Sequence, residues 1–404
     1  LPWAHKTGWV QCQPAFPNGE WVPYDTRYQL THALNKLSQH GLGMVCGLEI
    51  EFHIYKLRDP VHGENLDPDM AAWPGPSPCV SLIHPGFSLL SETCVDMAEE
   101  PLRIVQHTAQ ALGLPLLSLE VEFGPSQVEA VFDATDALTA ADNMVLFRSA
   151  AKQALRRAGY HATFMCRPPF AHIMSSGWHL HQSLVHLSDG SNAMMRDTTA
   201  FATHTPPSNA LHSLSAVGAH YLAGLLAHAP AMTALSTPTV NGYGRFQPNA
   251  LAPQSAVWGR DNRGAMLRVI GQAGDTATRI ENRLGEPAAN PYLYMASQIH
   301  AGLHGIEQQL TPGPSTDSPY TTHTSDNNEV DDTAALDTTH TLTHHIPSNL
   351  QVAIQALQSD TVMCDGFGEA FVHYYARIKA SEYQRFEAAQ DRDEFQRREY
   401  FARI

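Results

Sequence analysis

Residues 175–183, with the sequence Ser-Ser-Gly-Trp-His-Leu-His-Gln-Ser, constrain the fold of this chain more than any other stretch. Side chains of a β-strand point alternately to its two faces, so an extended run places His179 and His181 on the same face. The run therefore predicts a strand with one face that belongs to a binding site.

Acidic residues occur in three further segments that an extended backbone would order in the same way. Residues 47–52 form an apolar run with two glutamates on one face, and residues 122–129 add two acids around a Gly-Pro turn. Residues 279–283 set an acid between two arginines, all three on one side. Carboxylates with a few histidines bind hard divalent cations, and neighbouring arginines suit phosphate or carboxylate groups. These segments predict a divalent metal site beside an anion-binding site.

Composition excludes several classes of partner. The formal net charge of −15 over 404 residues disfavours binding to nucleic acid or to an anionic membrane. No apolar run approaches the roughly 20 residues of a membrane helix, and no signal peptide is visible, although the chain begins with Leu1. The six cysteines are scattered without a Cys-x-x-Cys pair, which is typical of reduced thiols. We therefore expect a cytoplasmic protein without membrane or nucleic-acid partners.

Helical and strand-like segments alternate along the chain. Helical spacing of apolar residues predicts helices over residues 26–40, 92–112, 136–157 and 208–228, and from residue 350 onward. Strands are predicted over residues 44–55, 116–122, 128–133 and 163–167 and over the histidine run. Because the acids and histidines are concentrated in the strands, we expect a site on the face of a curved sheet or partial barrel backed by helices.

Three segments are predicted to be irregular. Residues 1–25 are rich in Trp, Pro and Gly, and residues 58–85 in Pro, Gly and Asp. Residues 311–347 are dominated by Ser, Thr, Asp, Pro and His, which indicates a long surface excursion. The histidines of this last segment suggest a metal-binding tract as an alternative, but a solvated loop is the interpretation we favour.

Seven segments resemble, in the same order and at matching spacings, the signatures of the catalytic domain of the glutamine synthetase superfamily. They are the Glu49/Glu51 pair, residues 122–129, the Gly-Trp-His-Leu-His-Gln-Ser run, and residues 240–245, 258–263, 279–283 and 290–292. The resemblance runs from Leu1 nearly to the C-terminus. It implies an α+β fold in which residues 1–404 form one catalytic domain, with a curved, mostly antiparallel sheet or partial barrel flanked by helices.

The resemblance implies two divalent ions, Mg²⁺ or Mn²⁺, each held by three side chains. The implied ligands are Glu51, Glu122 and Glu129 for one ion, and Glu49, His179 and Glu281 for the other. Such ions prefer oxygen ligands and keep waters and substrate phosphates as well. Glu120 is a neighbour of Glu122 on the same face and an alternative to it. An isolated pair of buried glutamates is usually a salt-bridged structural feature, but the complete set favours metal binding.

Binding roles for ATP and glutamate follow from the same resemblance. Nucleotide contacts are implied for His181 and Ser183, phosphate contacts for Arg263 and Arg268, and glutamate contacts for Ser175, Arg245, Arg263 and Arg283. The three arginines of the glutamate set are also the implied catalytic residues, since they stabilise negative charge that develops during the reaction. Ordinary ion pairing is the alternative for each arginine.

The implied reaction is ATP-dependent amide formation. The γ-phosphoryl group passes to the side-chain carboxylate of L-glutamate to give a γ-glutamyl phosphate. An amine then attacks this acyl phosphate and releases phosphate, which leaves a γ-glutamyl amide.

The chain departs from the family pattern at the end of the site that receives the amine. Glutamine synthetases carry a flap glutamate six residues after the arginine that corresponds to Arg245, and this chain has Leu251 there. Met174-Ser175 replaces a usual Asn-Gly pair. Leucine cannot take a proton from ammonium, so we expect an organic, apolar amine, an alkylamine or an aniline. The alternatives are an ordinary glutamine synthetase and a catalytically silent relative with a structural or regulatory role.

Family members usually carry a small β-rich domain before the catalytic one, and it completes the active site of a neighbouring subunit in a ring. This sequence has no such segment before Leu1. Either a disordered or removed domain is missing from this chain or the protein works without it, and we favour the first explanation. The resemblance also implies a homo-oligomer of two stacked rings, a dodecamer or a decamer.

Overall fold

One β-sheet carries the predicted strands in a computed structural model that describes residues 1–58, 73–197, 213–247, 252–317, 319 and 345–404. The strands are β1 (Leu42–Leu57), β2 (Val80–Leu82), β3 (Leu116–Val121), β4 (Gln127–Asp136), β5 (Tyr160–Thr163), β6 (Trp178–His186), β7 (Trp258–Arg260), β8 (Leu267–Ile270) and β9 (Arg279–Gly285). Their order is β3-β4-β1-β6-β9-β8-β7, and β2 and β5 pair with the end of β1. Neighbours are antiparallel except β7 and β8, and the sheet is not closed into a barrel.

Helices flank this sheet and confirm the predicted α+β class. They are α1 (Thr26–Gln39), α2 (Glu92–Ala111), α3 (Ala137–Arg157), α4 (Ala216–Ala227), α5 (Ala229–Ser236), α6 (Pro291–Glu307), α7 (Leu350–Ser359), α8 (Thr361–Phe367), α9 (Glu369–Glu387) and α10 (Arg392–Gln396). Asp25, Asp136 and Asn290 cap α1, α3 and α6, because each side chain accepts a hydrogen bond from a backbone N–H of the first turn. Among the described residues, no helix is long and apolar enough to cross a membrane.

The central strand β1 separates the core from the site. Its even-numbered side chains from Leu42 to Ile54 are buried in the apolar core. Phe52 packs edge-on against Phe147 of α3, with ring centroids 5.8 Å apart. The odd-numbered positions from Gly43 to Glu51 are only partly buried, so the opposite face is where polar groups gather.

The structure corrects two of the predicted segments. The strand predicted over residues 163–167 is Tyr160–Thr163 instead. It ends there because the next backbone N–H, that of Phe164, donates to the backbone oxygen of Ile404 at 3.2 Å rather than to β1. The loop predicted over residues 58–85 contains β2, which pairs with Tyr55 to Leu57 of β1. Most of the excursion predicted over residues 311–347 lies outside the described residues.

Candidate active site

Strand pairing places most of the predicted acids and histidines in one row across the sheet. The pairs that face each other in register are Glu51–Glu129 between β1 and β4, Glu49–His179 between β1 and β6, and His181–Glu281 between β6 and β9. Directly opposed residues share a face of the sheet, so these side chains converge. We call them, with Glu122 just beyond the end of β3, the acid row.

Glu49 lies at the centre of the acid row and meets two imidazoles. His181 Nε2 lies 2.9 Å from Oε1 of Glu49, and His179 Nδ1 lies 3.2 Å from Oε2. Burial acts to raise the pKa of Glu49, but these hydrogen bonds outweigh it and lower that pKa. Burial and the nearby charge of Arg283 lower the pKa of His179 to about 4, so this ring is neutral at pH 7, as a metal ligand must be.

Carboxylates crowd the other end of the row. Burial, followed by the charges of Glu51 and Glu49, raises the pKa of Glu129 to about 9. Burial raises the pKa of Glu51 to about 7 against the opposing charge of Arg245. Burial also raises the pKa of Glu122. Buried carboxylates this close to one another keep a proton unless a cation neutralises them.

The donors of the acid row therefore fit divalent ions. Among the described residues, two groups of three donors have ligand atoms that all lie within 4.8 Å of one another, namely Glu49 with His181 and Glu281, and Glu49 with Glu129 and His179. Glu49 is common to both groups. The second group mixes the two predicted ligand sets, because it joins Glu129 of one set to Glu49 and His179 of the other, and the first group adds His181 to Glu49 and Glu281 of a single set. His181, predicted as a nucleotide contact, is thus also close enough to act as a metal ligand. Carboxylate oxygens with one imidazole suit Mn²⁺ as well as Mg²⁺.

A cavity of about 530 Å³ adjoins the acid row and is lined in part by Glu49, His181 and Ser183. Arg279 also lines it and donates from Nε to Nδ1 of His181 at 3.0 Å. That bond leaves the ring proton on Nε2, which faces Glu49. The sequence predicted Arg279 only as one of the arginines of a general anion-binding site, without a contact to a particular ligand. We call this space the proximal cavity.

Arg245 and Arg283 lie beside the carboxylates of the row. Arg245 is buried at the end of the short 3-10 turn Gly242–Arg245, and its Nη1 donates to the backbone oxygen of Gly285 at 3.1 Å. A Cβ on Gly177 would lie 2.6 Å from Nη2 of Arg245, so this glycine makes room for the guanidinium. Arg283 donates to Glu281, and its buried Nε has no partner among the described residues.

The two predicted phosphate arginines occupy different environments. Arg268 of β8 donates to Oε2 of Glu281 at 3.0 Å and also pairs with Asp261, so it belongs to an ion-pair network. Arg263 is exposed, and its charge acts to lower the pKa of Glu122. The structure thus brings Arg268 into the acid row and leaves Arg263 at its edge.

Gln127 is a residue whose role the sequence did not predict. Its Nε2 lies 3.1 Å from Oε2 of Glu51, 3.2 Å from the backbone oxygen of Ser175 and 3.0 Å from Oγ of Ser176. It joins a predicted metal ligand to the predicted glutamate-binding segment. Its position between Glu122 and Glu129, in the acidic segment that resembles a family signature, is the feature from which this role could have been predicted. Ser175 itself accepts a hydrogen bond from Arg167 Nη1 at 3.2 Å.

The sequence predictions for Glu120 and Leu251 stay predictions. Glu120 lies opposite Glu129 in register, and its charge helps to raise the pKa of both Glu122 and Glu129. Either Glu120 or Glu122 is thus close enough to join the row. Leu251, the predicted amine-site residue, lies outside the described residues and stays a prediction.

Comparison with known proteins agrees with this geometry. The family model described as glutamine synthetase, catalytic domain, matches residues 23–398. The chain is 38% identical over 391 residues to a gamma-glutamylanilide synthase from an Acinetobacter species, a match that covers 96% of this chain and 71% of that protein. It is 31% identical over 373 residues to a glutamine synthetase from Thermus thermophilus, which covers 92% and 74% of the two chains.

Solved structures give the same result. The structure titled "Apo GmaS without ligand" has a TM-score of 0.74 at 28% identity, and the match covers 98% of this chain and 81% of that chain. The predicted relationship is therefore confirmed by sequence and by fold. The chain belongs to the glutamine synthetase catalytic-domain family.

Proposed function

We propose that this protein ligates the γ-carboxylate of L-glutamate to an organic amine with ATP, giving a γ-glutamyl amide, ADP and phosphate. The observation that carries the proposal is the acid row beside the proximal cavity, because phosphoryl transfer needs clustered metal ligands next to a nucleotide site. The higher identity to a gamma-glutamylanilide synthase than to the Thermus glutamine synthetase supports an organic acceptor over ammonia.

The proposal assigns Mg²⁺ or Mn²⁺ to the acid row. The proposed ligands are Glu49, Glu51, Glu122, Glu129, His179 and Glu281. Such ions, when bound, neutralise charge on the transferring phosphoryl group and orient the phosphates. The raised pKa values of Glu51 and Glu129 support this assignment, because a cation is what lets both remain ionised at neutral pH.

The chain's own residues orient the two reactants. His181 and Ser183 line the proximal cavity and would contact the nucleotide, while Arg245 and Arg283 would hold the carboxylates of glutamate. A γ-carboxylate oxygen of glutamate attacks the γ-phosphorus as the bond to the bridging oxygen of ADP breaks. Preorganised guanidinium groups stabilise the charge that spreads over the phosphoryl oxygens, and the exposed Arg263 is placed to approach from the edge of the row.

The second step forms the amide bond. The amine nitrogen attacks the acyl carbon, the bond from that carbon to the phosphate oxygen breaks, and phosphate leaves as the nitrogen loses one proton to solvent. An aniline is already neutral at pH 7 and needs no base before it attacks. The replacement of the flap glutamate by Leu251 supports such an acceptor.

Phosphate release from ATP with glutamate and Mg²⁺ tests this proposal when ammonium, isopropylamine, aniline and putrescine are compared in parallel. We expect turnover with isopropylamine or aniline to exceed turnover with ammonium. A clear preference for ammonium would instead identify a glutamine synthetase. Absence of turnover with every amine would favour a catalytically silent relative.

The proposal extends to assembly and location. We propose that this protein acts in a ring-shaped homo-oligomer, a dodecamer or decamer, in the cytoplasm. Analytical ultracentrifugation of the native protein from its source cells tests the assembly, since a monomer in that experiment would contradict it.

A further inference from the structure

Residues 391–404 contact the segment that begins with β5 and continues towards Ser175, and we call them the clasp. The clasp consists of α10 and the short π-helical turn Arg397–Phe401 with the residues around them. Three hydrogen bonds join it to residues 161–169, from His161 Nε2 to the backbone oxygen of Phe401 (2.7 Å), from the backbone N–H of Phe164 to that of Ile404 (3.2 Å) and from Arg397 Nη2 to that of Pro169 (3.1 Å). The clasp therefore supports this segment at several points along its length.

Buried aromatic side chains hold the clasp on the rest of the fold. Tyr400 and Phe401 are buried in one apolar cluster with Tyr55 and Met165. The Tyr400 hydroxyl also donates to Oε1 of the buried Glu382 on α9 at 2.5 Å. Because large aromatic side chains contribute strongly to packing energy, these contacts fix the place from which the polar groups of the clasp act.

Asn241 is the residue through which the clasp reaches the candidate site. Its side chain is buried, and its Oδ1 accepts a hydrogen bond from the backbone N–H of Arg167 at 2.7 Å. Its Nδ2 donates to the backbone oxygen of Arg167 at 2.9 Å and to Oε1 of Gln396 at 2.7 Å. Both N–H groups of this amide are thus paired, and Gln396 supplies the acceptor that does not come from the Arg167 backbone.

Asn241 and Arg167 together connect two segments that are predicted to bind glutamate. Asn241 directly precedes the 3-10 turn Gly242–Arg245, at the end of which the guanidinium of Arg245 is buried beside the acid row. Arg167 donates from Nη1 to Oγ of Ser175 at 3.2 Å. The predicted glutamate contacts Arg245 and Ser175 therefore both depend on where the Asn241 amide is held.

The same segment also contacts a proposed metal ligand. The backbone N–H of Ser176 donates to the backbone oxygen of Cys166 at 2.7 Å, and Sγ of Cys166 donates to the backbone oxygen of Ser176 at 3.2 Å. The next N–H, that of Gly177, donates to Oε2 of Glu51 at 2.8 Å. A displacement at Cys166 is consequently transmitted to the backbone beside Glu51.

We propose that Gln396 is a positioning residue for the glutamate end of the site and acts through Asn241 and Arg167 rather than by touching a substrate. This inference rests on the proposed function and adds to it a segment that follows all the predicted site residues in the chain. The nucleotide end should be insensitive to the clasp. Among the described residues, neither His181 nor Ser183 forms a hydrogen bond with the clasp or with Asn241.

Gln396→Leu keeps the size of the side chain and removes the acceptor, which makes it the first variant to test. We expect the KM for glutamate in γ-glutamyl hydroxamate formation to rise roughly three- to tenfold, since a buried amide loses one hydrogen bond, while the KM for ATP stays nearly constant. Gln396→Glu retains an accepting oxygen and should restore the wild-type KM. Gln384→Leu, on the exposed surface of α9, is the matched control and should change neither constant.

Arg397→Ala provides an independent variant of the clasp. It removes the hydrogen bond to Pro169 without touching Asn241, and it should raise the KM for glutamate in the same direction. Arg398→Ala is the control at the neighbouring arginine, whose ion pair with Glu394 is exposed to solvent, and it should have no effect. An effect of equal size in the two arginine variants would contradict a specific role of the clasp.

Two measurements test whether the effect passes through Arg167. Amide hydrogen exchange of the substrate-free protein should become faster in residues 165–177 and in the turn Gly242–Arg245 of Gln396→Leu, while α3 keeps its wild-type rates. In kinetics, Arg167→Ala combined with Gln396→Leu should raise the KM for glutamate by less than the product of the two single effects, because both changes act on one connection. A full product would mean that the residues act separately and would overturn the proposed connection.

The outcomes distinguish this inference from the proposed function. Wild-type hydroxamate formation, with exchange and the KM for glutamate both unchanged in Gln396→Leu, would overturn the positioning role and leave the proposed function in place. Equal increases in the KM for glutamate and for ATP would show a general loosening of the fold and would overturn it as well. No hydroxamate from the wild-type protein would remove the proposed function and the positioning role with it.

Discussion

At the scale of single residues, Glu129 shows how neighbouring carboxylates of the acid row raise the pKa of one another. It lies opposite Glu51 on one side and Glu120 on the other, and its pKa is raised to about 9 by burial and by these neighbouring charges. A group held in this state destabilises the fold once it ionises, unless a cation is near. The acid row, which we propose to bind divalent ions, therefore destabilises the metal-free protein when its carboxylates ionise.

Glu129→Gln should consequently stabilise the metal-free protein in a pH-dependent way. Folded Glu129 keeps its proton up to about pH 9, whereas the same group in the unfolded chain loses it near 4.5, so the folded state binds more protons between these values. The free energy of unfolding then falls as the pH rises through this window, by on the order of 1 to 3 kcal/mol between about pH 6 and pH 8.

Thermal unfolding in EDTA at these two pH values measures that difference. We expect Glu129→Gln to raise the melting temperature more at pH 8 than at pH 6. Glu99→Gln, at an exposed ion pair on α2, is the control and should show no such trend. An equal gain at both pH values would mean that Glu129 is already ionised when the metal is absent.

At the scale of elements, a buried acid fixes the 3-10 turn Gly242–Arg245, which carries an arginine that we propose to be catalytic. Glu286 accepts hydrogen bonds from the backbone N–H of Thr239 at 2.8 Å and from its hydroxyl at 2.9 Å, and that hydroxyl oxygen accepts from the N–H of Gly242 at 3.1 Å. The carboxylate thus anchors the start of the turn that ends at Arg245.

Glu286→Gln replaces one of the two accepting oxygens with an amide N–H₂, so one of the two Thr239 donors loses its acceptor and we expect the turn to loosen. The KM for glutamate should rise roughly tenfold, in line with a loss of about 1 to 2 kcal/mol, while the KM for ATP stays nearly constant. Steady-state kinetics measures both constants. Glu399→Gln, which breaks an ion pair with Arg385, is the matched control and should alter neither. Parallel increases in both constants would argue against a specific positioning role.

Helices α4 and α6 behind the sheet depend on glycine for their close approach. A Cβ on Gly302 would overlap the ring of Tyr221, and both helices are buried along this contact. Gly302→Ala should therefore lower the free energy of unfolding by roughly 2 kcal/mol or more. Gly313→Ala, where a Cβ would meet no atom within 4 Å, is the control for denaturant unfolding. Equal stability of the two variants would show that α4 and α6 can separate without cost.

Local patterning predicted much of this architecture, for a physical reason. The two-residue period of β1, β6 and β9 and the helical spacing of apolar residues in α1 and α3 are properties of short segments, so sequence alone revealed them. Register is a non-local property. That Glu281 lies opposite His181, or that Gln127 reaches Glu51, depends on which strands become neighbours, and the segments do not encode this individually. The strand predicted at residues 163–167 was wrong for the same reason, since Phe164 and Arg167 donate their backbone N–H groups to Ile404 and Asn241, which lie far along the chain.

At the scale of the whole molecule, the proximal cavity and the acid row follow one another along β1. Under the proposed function, the nucleotide would lie at the Gly47 end and the phosphoryl group would cross at Glu49 and Glu51.

Divalent ions should stabilise the whole molecule. Ligands bound only by the folded state add about 2.7 kcal/mol at a hundredfold excess over Kd. We expect Mg²⁺ or Mn²⁺ to raise the melting temperature, and to do so more strongly at higher pH, because binding must displace protons from Glu51 and Glu129. Glu51→Gln should lose most of this increment. Stabilisation that is equal in Glu51→Gln and wild type would locate the ions outside the acid row.

The most direct test of the central claim is the fate of oxygen in the γ-carboxylate of glutamate. In a reaction with ATP, aniline and glutamate labelled with ¹⁸O at that carboxylate, mass spectrometry of the released phosphate shows whether an acyl phosphate formed. Our account predicts one labelled oxygen in each phosphate, because the bond between the acyl carbon and the phosphate oxygen breaks in the second step. Unlabelled phosphate released together with the anilide would contradict it.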